Sequence, residues 1–172
     1  MGRSPRPPRP PRAVDEGFTA LYDVEYPRIA RTAYLVLHDA ARAEEVAQEA
    51  FVRLYLRWGT VGGYDRPGAW VRRVAIRLAV REAQREERRP RLERRTSPPP
   101  TTPERDVDVL RAVGELPARQ RAVVVLFYFE DLPVAEVAHA LAMSESAVKT
   151  SLHRARATLA TRLDEEVSDV RR

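Results

Sequence analysis

Residues 90–105, PRLERRTSPPPTTPER, set the strongest limit on what this chain of 172 residues can fold into. The stretch has no apolar period and holds five prolines. Proline lacks an amide donor and pushes its predecessor out of the helical region, so neither a helix interior nor a central strand runs through such a segment. The chain is thereby split into two blocks joined by an extended linker. A second cluster, MGRSPRPPRPPR at the start, carries four arginines, five prolines and no acid. It reads as a disordered or polyproline-like tail over residues 1–14.

Both blocks read as helical. In the first, residues 15–89, FTALYDVEYPRIARTAYLVLHD places Phe18, Leu21, Tyr22, Ile29, Ala33, Tyr34 and Leu37 at helical spacings, with Pro27 expected as a break or kink. DAARAEEVAQEAFVRLYLRW follows, with Asp39 placed to cap and Glu44 and Glu45 early, where the helix dipole favours acids. GTVGGYDRPGA reads as a loop, from its four glycines and a proline. WVRRVAIRLAVREAQREERR is a third helix, with Trp70, Val74 and Leu78 inward and Val71 and Ala75 beside them. The second block, residues 106–163, contains VDVLRAVGEL, PARQRAVVVLFYFED, PVAEVAHALA and SESAVKTSLHRARATL. AVVVLFYF is β-branched and aromatic enough to imitate a strand, but its flanks, PARQR and EDL, favour a buried helix. No other segment has a strand period. The expected fold is all-α: two small helical domains joined by a Pro-rich linker, and a charged tail over residues 164–172.

Composition narrows the function. An apolar content of 44% supports real cores, and a net charge of +5 favours polyanionic partners. Thirty residues are Lys or Arg, and Lys149 is the sole lysine. The absence of cysteine excludes disulfides, thiolate-bound zinc and thiol redox chemistry. The three histidines, His38, His139 and His153, have no metal-like spacing. With no nucleophile–base pairing and no phosphate-binding glycine loop, no enzyme activity, metal or cofactor is expected. No apolar run approaches the ~18 residues of a membrane span, and the first residues lack the apolar core of a secretory signal, so a cytoplasmic location is expected.

The segment MSESAVKTSLHRARATL carries the sharpest pattern. Ser144 is placed to cap and Glu145 lies in the first turn. At about 100° per residue, Val148, Leu152, Ala155 and Leu159 fall on one side. Ser146, Thr150, His153, Arg154 and Ala157 fall opposite, with Lys149 and Arg156 on a flank. Long cations on such a face reach phosphates, and Ser, Thr and His meet base edges. The preceding helix, PVAEVAHALA, connects through LAMS, so the pair reads as a helix-turn-helix. Ala142 stands near the place where the turn favours glycine. The helix pattern alone fits a solvated amphipathic helix equally well.

In EEVAQEAFVRLYLRW, Val46, Ala47, Ala50, Phe51, Leu54, Tyr55 and Trp58 share a wide core face. Val52 and Leu56 lie opposite, beside Glu45, Gln48 and Glu49. Exposed aliphatics ringed by acids and an amide suit a docking surface, although single exposed aliphatics are also ordinary. Residues 66–95 hold eleven arginines against four acids, with Arg72, Arg73, Arg77 and Arg81 at helical spacing.

The segment LPARQRAVVVLFYFEDLPVAEVAHALAMSESAVKTSLHRARATL resembles region 4 of bacterial sigma factors of the extracytoplasmic-function group, in LP-RQR, the apolar run, and DL---E-A--L--S---VK--L-RAR--L. AEEVAQEAFVRLYLRW, a loop and AWVRRVAIRLA resemble region 2 of the same group. The Arg-rich usage looks actinobacterial. The resemblance implies a promoter-specificity subunit of RNA polymerase. Ser144, Ser146, Lys149, Thr150, His153, Arg154 and Arg156 would meet the −35 element. Tyr64, Trp70, Arg72, Arg73, Arg77 and Arg81 would hold the −10 element as melted single strand. Glu45, Gln48, Glu49, Val52 and Leu56 would dock on the β′ clamp helices of core RNA polymerase. The resemblance also implies promoter DNA, the β flap and an anti-sigma factor as partners. Arg77 stands where the family commonly has asparagine. The alternative is a stand-alone helix-turn-helix regulator that never binds polymerase; an acidic pocket or β/α alternation, as in a sensor domain, is not visible in the first block.

Overall fold

The computed structural model describes residues 15–88 and 104–170, with side chains over 15–88 and 109–162. The Pro/Arg tail, the prolines expected in the linker and the last two residues lie outside the described residues. Among the described residues every regular element is helical.

The first unit is built from α1 (Glu16–Leu37), α2 (Ala40–Leu56), the single-turn α3 (Trp58–Val61) and α4 (Pro67–Glu87). Asp15 caps α1 by accepting from the amides of Gly17 and Phe18, and Asp39 caps α2 by accepting from Arg42. The helix α1 runs through Pro27 rather than breaking there. It ends at His38, whose left-handed backbone (φ 53°) returns its amide to the Tyr34 carbonyl. Part of the segment expected as a loop is helical, because Trp58–Val61 closes one turn before the chain reaches Pro67 at the first position of α4.

Helices α1, α2 and α4 pack on one another around Ile29, Val36, Ala47, Phe51, Leu54 and Val71. Two expectations about facing are corrected here. In α4 the buried side chains are Val71, Ala75, Ile76, Ala79, Val80 and Ala83, whereas Trp70, Val74 and Leu78 are half-buried and pack against the edge of the same core. Alanines at positions 75, 79 and 83 let α4 approach its neighbours closely, and Trp70, Val74 and Leu78 are left at the edge of the contact. In α2, Tyr55 is 45% exposed rather than in the core, its ring set edge-on to Phe18 at 5.4 Å. Trp58 is half-buried and belongs to α3.

The second unit comprises α5 (Glu104–Gly114), α6 (Ala118–Val124), α7 (Val134–Leu141) and α8 (Glu145–Val170). The strand-like AVVVLFYF is helical: α6 buries Ala122, Val123 and Val124 and widens into a π-helical turn over Val125–Phe129. The end of that turn emerges from the core, leaving Tyr128 and Phe129 exposed. The two units pack against each other, with α4 lying on α6 and α7 and α1 reaching α5 and α6.

Candidate nucleic-acid interface

Helices α7 and α8 meet across Ala142–Ser144. Ala142 takes a left-handed conformation (φ 51°, ψ 51°). The amide of Met143 bonds back to the Ala138 carbonyl at 2.9 Å, which closes α7 and turns the chain sharply. Ser144 Oγ accepts from the Ala147 amide at 3.2 Å and so starts α8. Val148, Leu152 and Ala155 are buried against the rest of the unit. Ser146, Lys149, Thr150, His153, Arg154 and Arg156 are all exposed, as is Ser144. Thr150 Oγ1 donates to the Ser146 carbonyl at 2.9 Å, while Arg154 and Lys149 project from the same outer surface. Arg156 Nε donates to the Tyr128 hydroxyl at 2.7 Å and its guanidinium lies 5.7 Å from that ring. The exposed end of the π turn thus steadies Arg156, a partner the helix pattern did not reveal.

On α4 the arginines divide. Arg73, Arg77 and Arg81 follow one another at four-residue steps along a ridge, while Arg72 sits to one side. Arg72 donates to the Glu25 carboxylate at 3.0 and 3.3 Å, an ion pair that is largely shielded. Arg73 donates to Nε2 of His139 at 2.6 Å. Arg77 donates to the carbonyls of Ala140 (3.1 Å) and His139 (3.3 Å), at the end of α7. Arg81 is exposed and lines a groove with Glu45, Glu49 and Arg85. Trp70 is half-buried with the Arg57 guanidinium 5.9 Å from its ring, and Tyr64 is 48% exposed in the turn before α4.

The outer face of α2 carries Val52 at 53% and Leu56 at 77% exposure, alongside exposed Glu45, Gln48 and Glu49. Glu49 pairs with Arg53 at 2.7 Å. Within the described residues, no group of His, Cys, Asp and Glu side chains is arranged to hold a metal ion, and no helix is long and apolar enough to cross a membrane.

Between the units lies a polar cleft of about 790 Å³, lined among others by His38, Arg42, Glu87, Gly114, Arg121 and Arg162. Burial pulls the His38 imidazole down to about 4, and the nearby Arg121 charge pushes the same way, against a backbone hydrogen bond at Leu35. His38 is therefore neutral at physiological pH. Sequence reasoning missed this cleft, because its walls come from segments separated by the linker.

These features define a two-unit helical protein with an outward-facing helix-turn-helix and a cationic second surface. Residues 21–89 match the family model "Sigma-70 region 2" and residues 106–159 match "Sigma-70, region 4". An RNA polymerase sigma-E factor of Streptomyces coelicolor is 33% identical over 136 residues, covering 76% of this chain and 77% of that one. The ECF RNA polymerase sigma factor SigL of Mycobacterium tuberculosis is 30% identical over 157 residues, covering 85% and 88%. Among solved structures, the sigma factor RpoE in complex with the anti-sigma factor NepR from Bartonella quintana shares the fold, with a TM-score of 0.66 at 17% identity, over 87% of this chain and 98% of that one. The chain belongs to the sigma-70 family of RNA polymerase sigma factors, in its extracytoplasmic-function group.

Proposed function

We propose that this chain is a cytoplasmic promoter-specificity subunit that binds core RNA polymerase, directs it to promoters and performs no covalent chemistry itself. Residues 15–89 and 106–163 act as its two working units, with residues 90–105 as a tether. Each contact alone is weak, and tethering raises the effective concentration of the second once the first has formed. Ser144, Ser146, Lys149, Thr150, His153 and Arg154 read the −35 element in the major groove, with Arg156 closer to phosphates. Tyr64, Trp70 and the arginines of α4 hold the melted −10 strand, aromatic faces stacking on bases and cations pairing with phosphates. Glu45, Gln48, Glu49, Val52 and Leu56 dock on the β′ clamp helices. The β flap is a second polymerase contact, and an anti-sigma protein is a further partner.

The observation that carries the polymerase-binding reading is the pair Val52 and Leu56. They are exposed on α2 while the same helix keeps Val46, Ala50, Phe51 and Leu54 buried. A stand-alone regulator has no use for a second apolar face ringed by acids. The test is co-elution of the purified chain with actinobacterial core RNA polymerase on a sizing column. Co-elution is expected, and Val52→Glu with Leu56→Glu should abolish it without changing the helical circular dichroism. Failure of the unaltered chain to co-elute, together with promoter binding in the absence of polymerase, would favour the stand-alone regulator.

A further inference from the structure

The chain gives up apolar burial at Tyr128 and Phe129, although the run from Arg121 to Leu126 is buried throughout. In an α-helix Tyr128 would fall three residues after Val125 and four after Val124, on the side that both of them bury. The turn over Val125–Phe129 is π-helical instead, and the Glu130 amide closes it on the Val125 carbonyl at 3.1 Å. The wider turn carries Tyr128 to the surface, where it is 49% exposed and Phe127 lies nearly perpendicular to its ring at 5.0 Å. The ring emerges beside α8. On that helix Lys149, His153 and Arg156 follow one another at steps of four and three residues, so they share one exposed stripe. Tyr128 meets this stripe at Arg156.

Two interactions hold the guanidinium there. Its Nε donates to the phenolic oxygen at 2.7 Å, and its carbon lies 5.7 Å from the ring centre. The hydrogen bond uses Nε and leaves both terminal nitrogens, which can donate to one phosphate side by side. A free arginine samples many rotamers, and fixing one of them on DNA costs conformational entropy. A guanidinium already bonded at Nε and set over a ring loses less. We infer that Tyr128 and Arg156 together form a preset site for a backbone phosphate of duplex DNA, with Arg156 meeting the phosphate and Tyr128 positioning it. This rests on the reading of α8 as the promoter-facing helix given above, and it adds a residue from outside the helix-turn-helix. A phosphate carries no sequence, so the site raises affinity without choosing bases.

The test uses holoenzyme reconstituted from the full chain and actinobacterial core RNA polymerase. The probe is a fluorescein-labelled duplex that the unaltered holoenzyme selects from a randomised pool. Arg156→Ala should weaken binding about tenfold near ~100 mM salt and lower the slope of log K against log salt by about 0.9. Tyr128→Leu should weaken it roughly fivefold, and Tyr128→Phe, which keeps the ring and loses the hydroxyl, roughly threefold. In the Arg156→Ala background neither change at Tyr128 should weaken binding further, because a positioning residue acts only through the group it holds. Equal losses in both backgrounds would overturn the proposal and leave Tyr128 a packing residue. Unchanged affinity of both Tyr128 variants would overturn it as well. If the leucine disturbs the helical circular dichroism or co-elution with polymerase, the phenylalanine decides alone. Arg156→Ala with unchanged affinity and slope would remove Arg156 from the phosphates, and the proposal with it, while leaving the rest of the α8 surface in place. Failure of the unaltered holoenzyme to select any duplex would overturn the promoter reading itself.

Discussion

Ala142 holds a backbone that L-residues avoid, because the left-handed region brings Cβ against the following carbonyl at a cost of about 1–2 kcal/mol. Glycine escapes that clash but loses more freedom on folding. Ala142→Gly is therefore expected to stabilise the chain by about 0.5–1 kcal/mol, read from urea denaturation midpoints. Sequence inspection placed this turn, and the structure supplies the energetic reason why glycine is favoured there. His38 makes the opposite case, since nothing in its neighbours in sequence announces a buried imidazole. Its value of about 4 lies below the ordinary 6.5, so between those pH values the unfolded chain binds more protons than the folded one. Stability is unaffected by this group above pH 6.5 and falls as pH drops toward 4, by up to about 3 kcal/mol. Urea titrations at pH 7 and pH 4.5 should show a larger loss in the unaltered chain than in His38→Gln. Equal losses would mean that His38 titrates normally.

The outer face of α8 follows from periodicity, because one helix packed on one side leaves the opposite arc free. Thr150→Glu with Arg154→Glu should abolish promoter-specific transcription while leaving co-elution with polymerase intact, since both changes fall on α8 and the exposed pair Val52 and Leu56 belongs to α2. Retained promoter selectivity in run-off assays would remove the groove assignment. Periodicity was a poorer guide to α4. Scored by hydrophobicity, Trp70, Val74 and Leu78 outrank Ala75, Ala79 and Ala83, yet the alanines are buried, with Val71, Ile76 and Val80, and the larger three are only half-buried. A helix pressed between two others is limited by how close the backbones come, and small side chains win that contact. Tyr55 departs from its expected place because its ring meets Phe18 in an edge-to-face contact while staying 45% exposed.

The mutual docking of the two units was not legible in the sequence, because the linker erases any local signal linking α4 to α7. Family-level patterns reached each unit separately, and the contacts joining them are single side chains such as Arg77 and Glu87 whose partners are more than thirty residues away. At this scale the net charge of +5 and the α4 ridge also set the response to ionic strength. If about three cations engage a single strand, raising monovalent salt from roughly 50 to 200 mM should weaken its binding by about ten- to twentyfold. A flat dependence in a fluorescence-anisotropy titration would show that phosphate pairing is not the main contribution. One consequence remains for the molecule taken as a whole. Lys149 is its sole lysine and stands exposed on the outward face of α8. Apart from the α-amino group, every amine-directed reagent must therefore react on the outward face of α8. Isotopic methylation of the native chain would install one spectroscopic beacon at the surface proposed to meet the promoter, without altering a single codon.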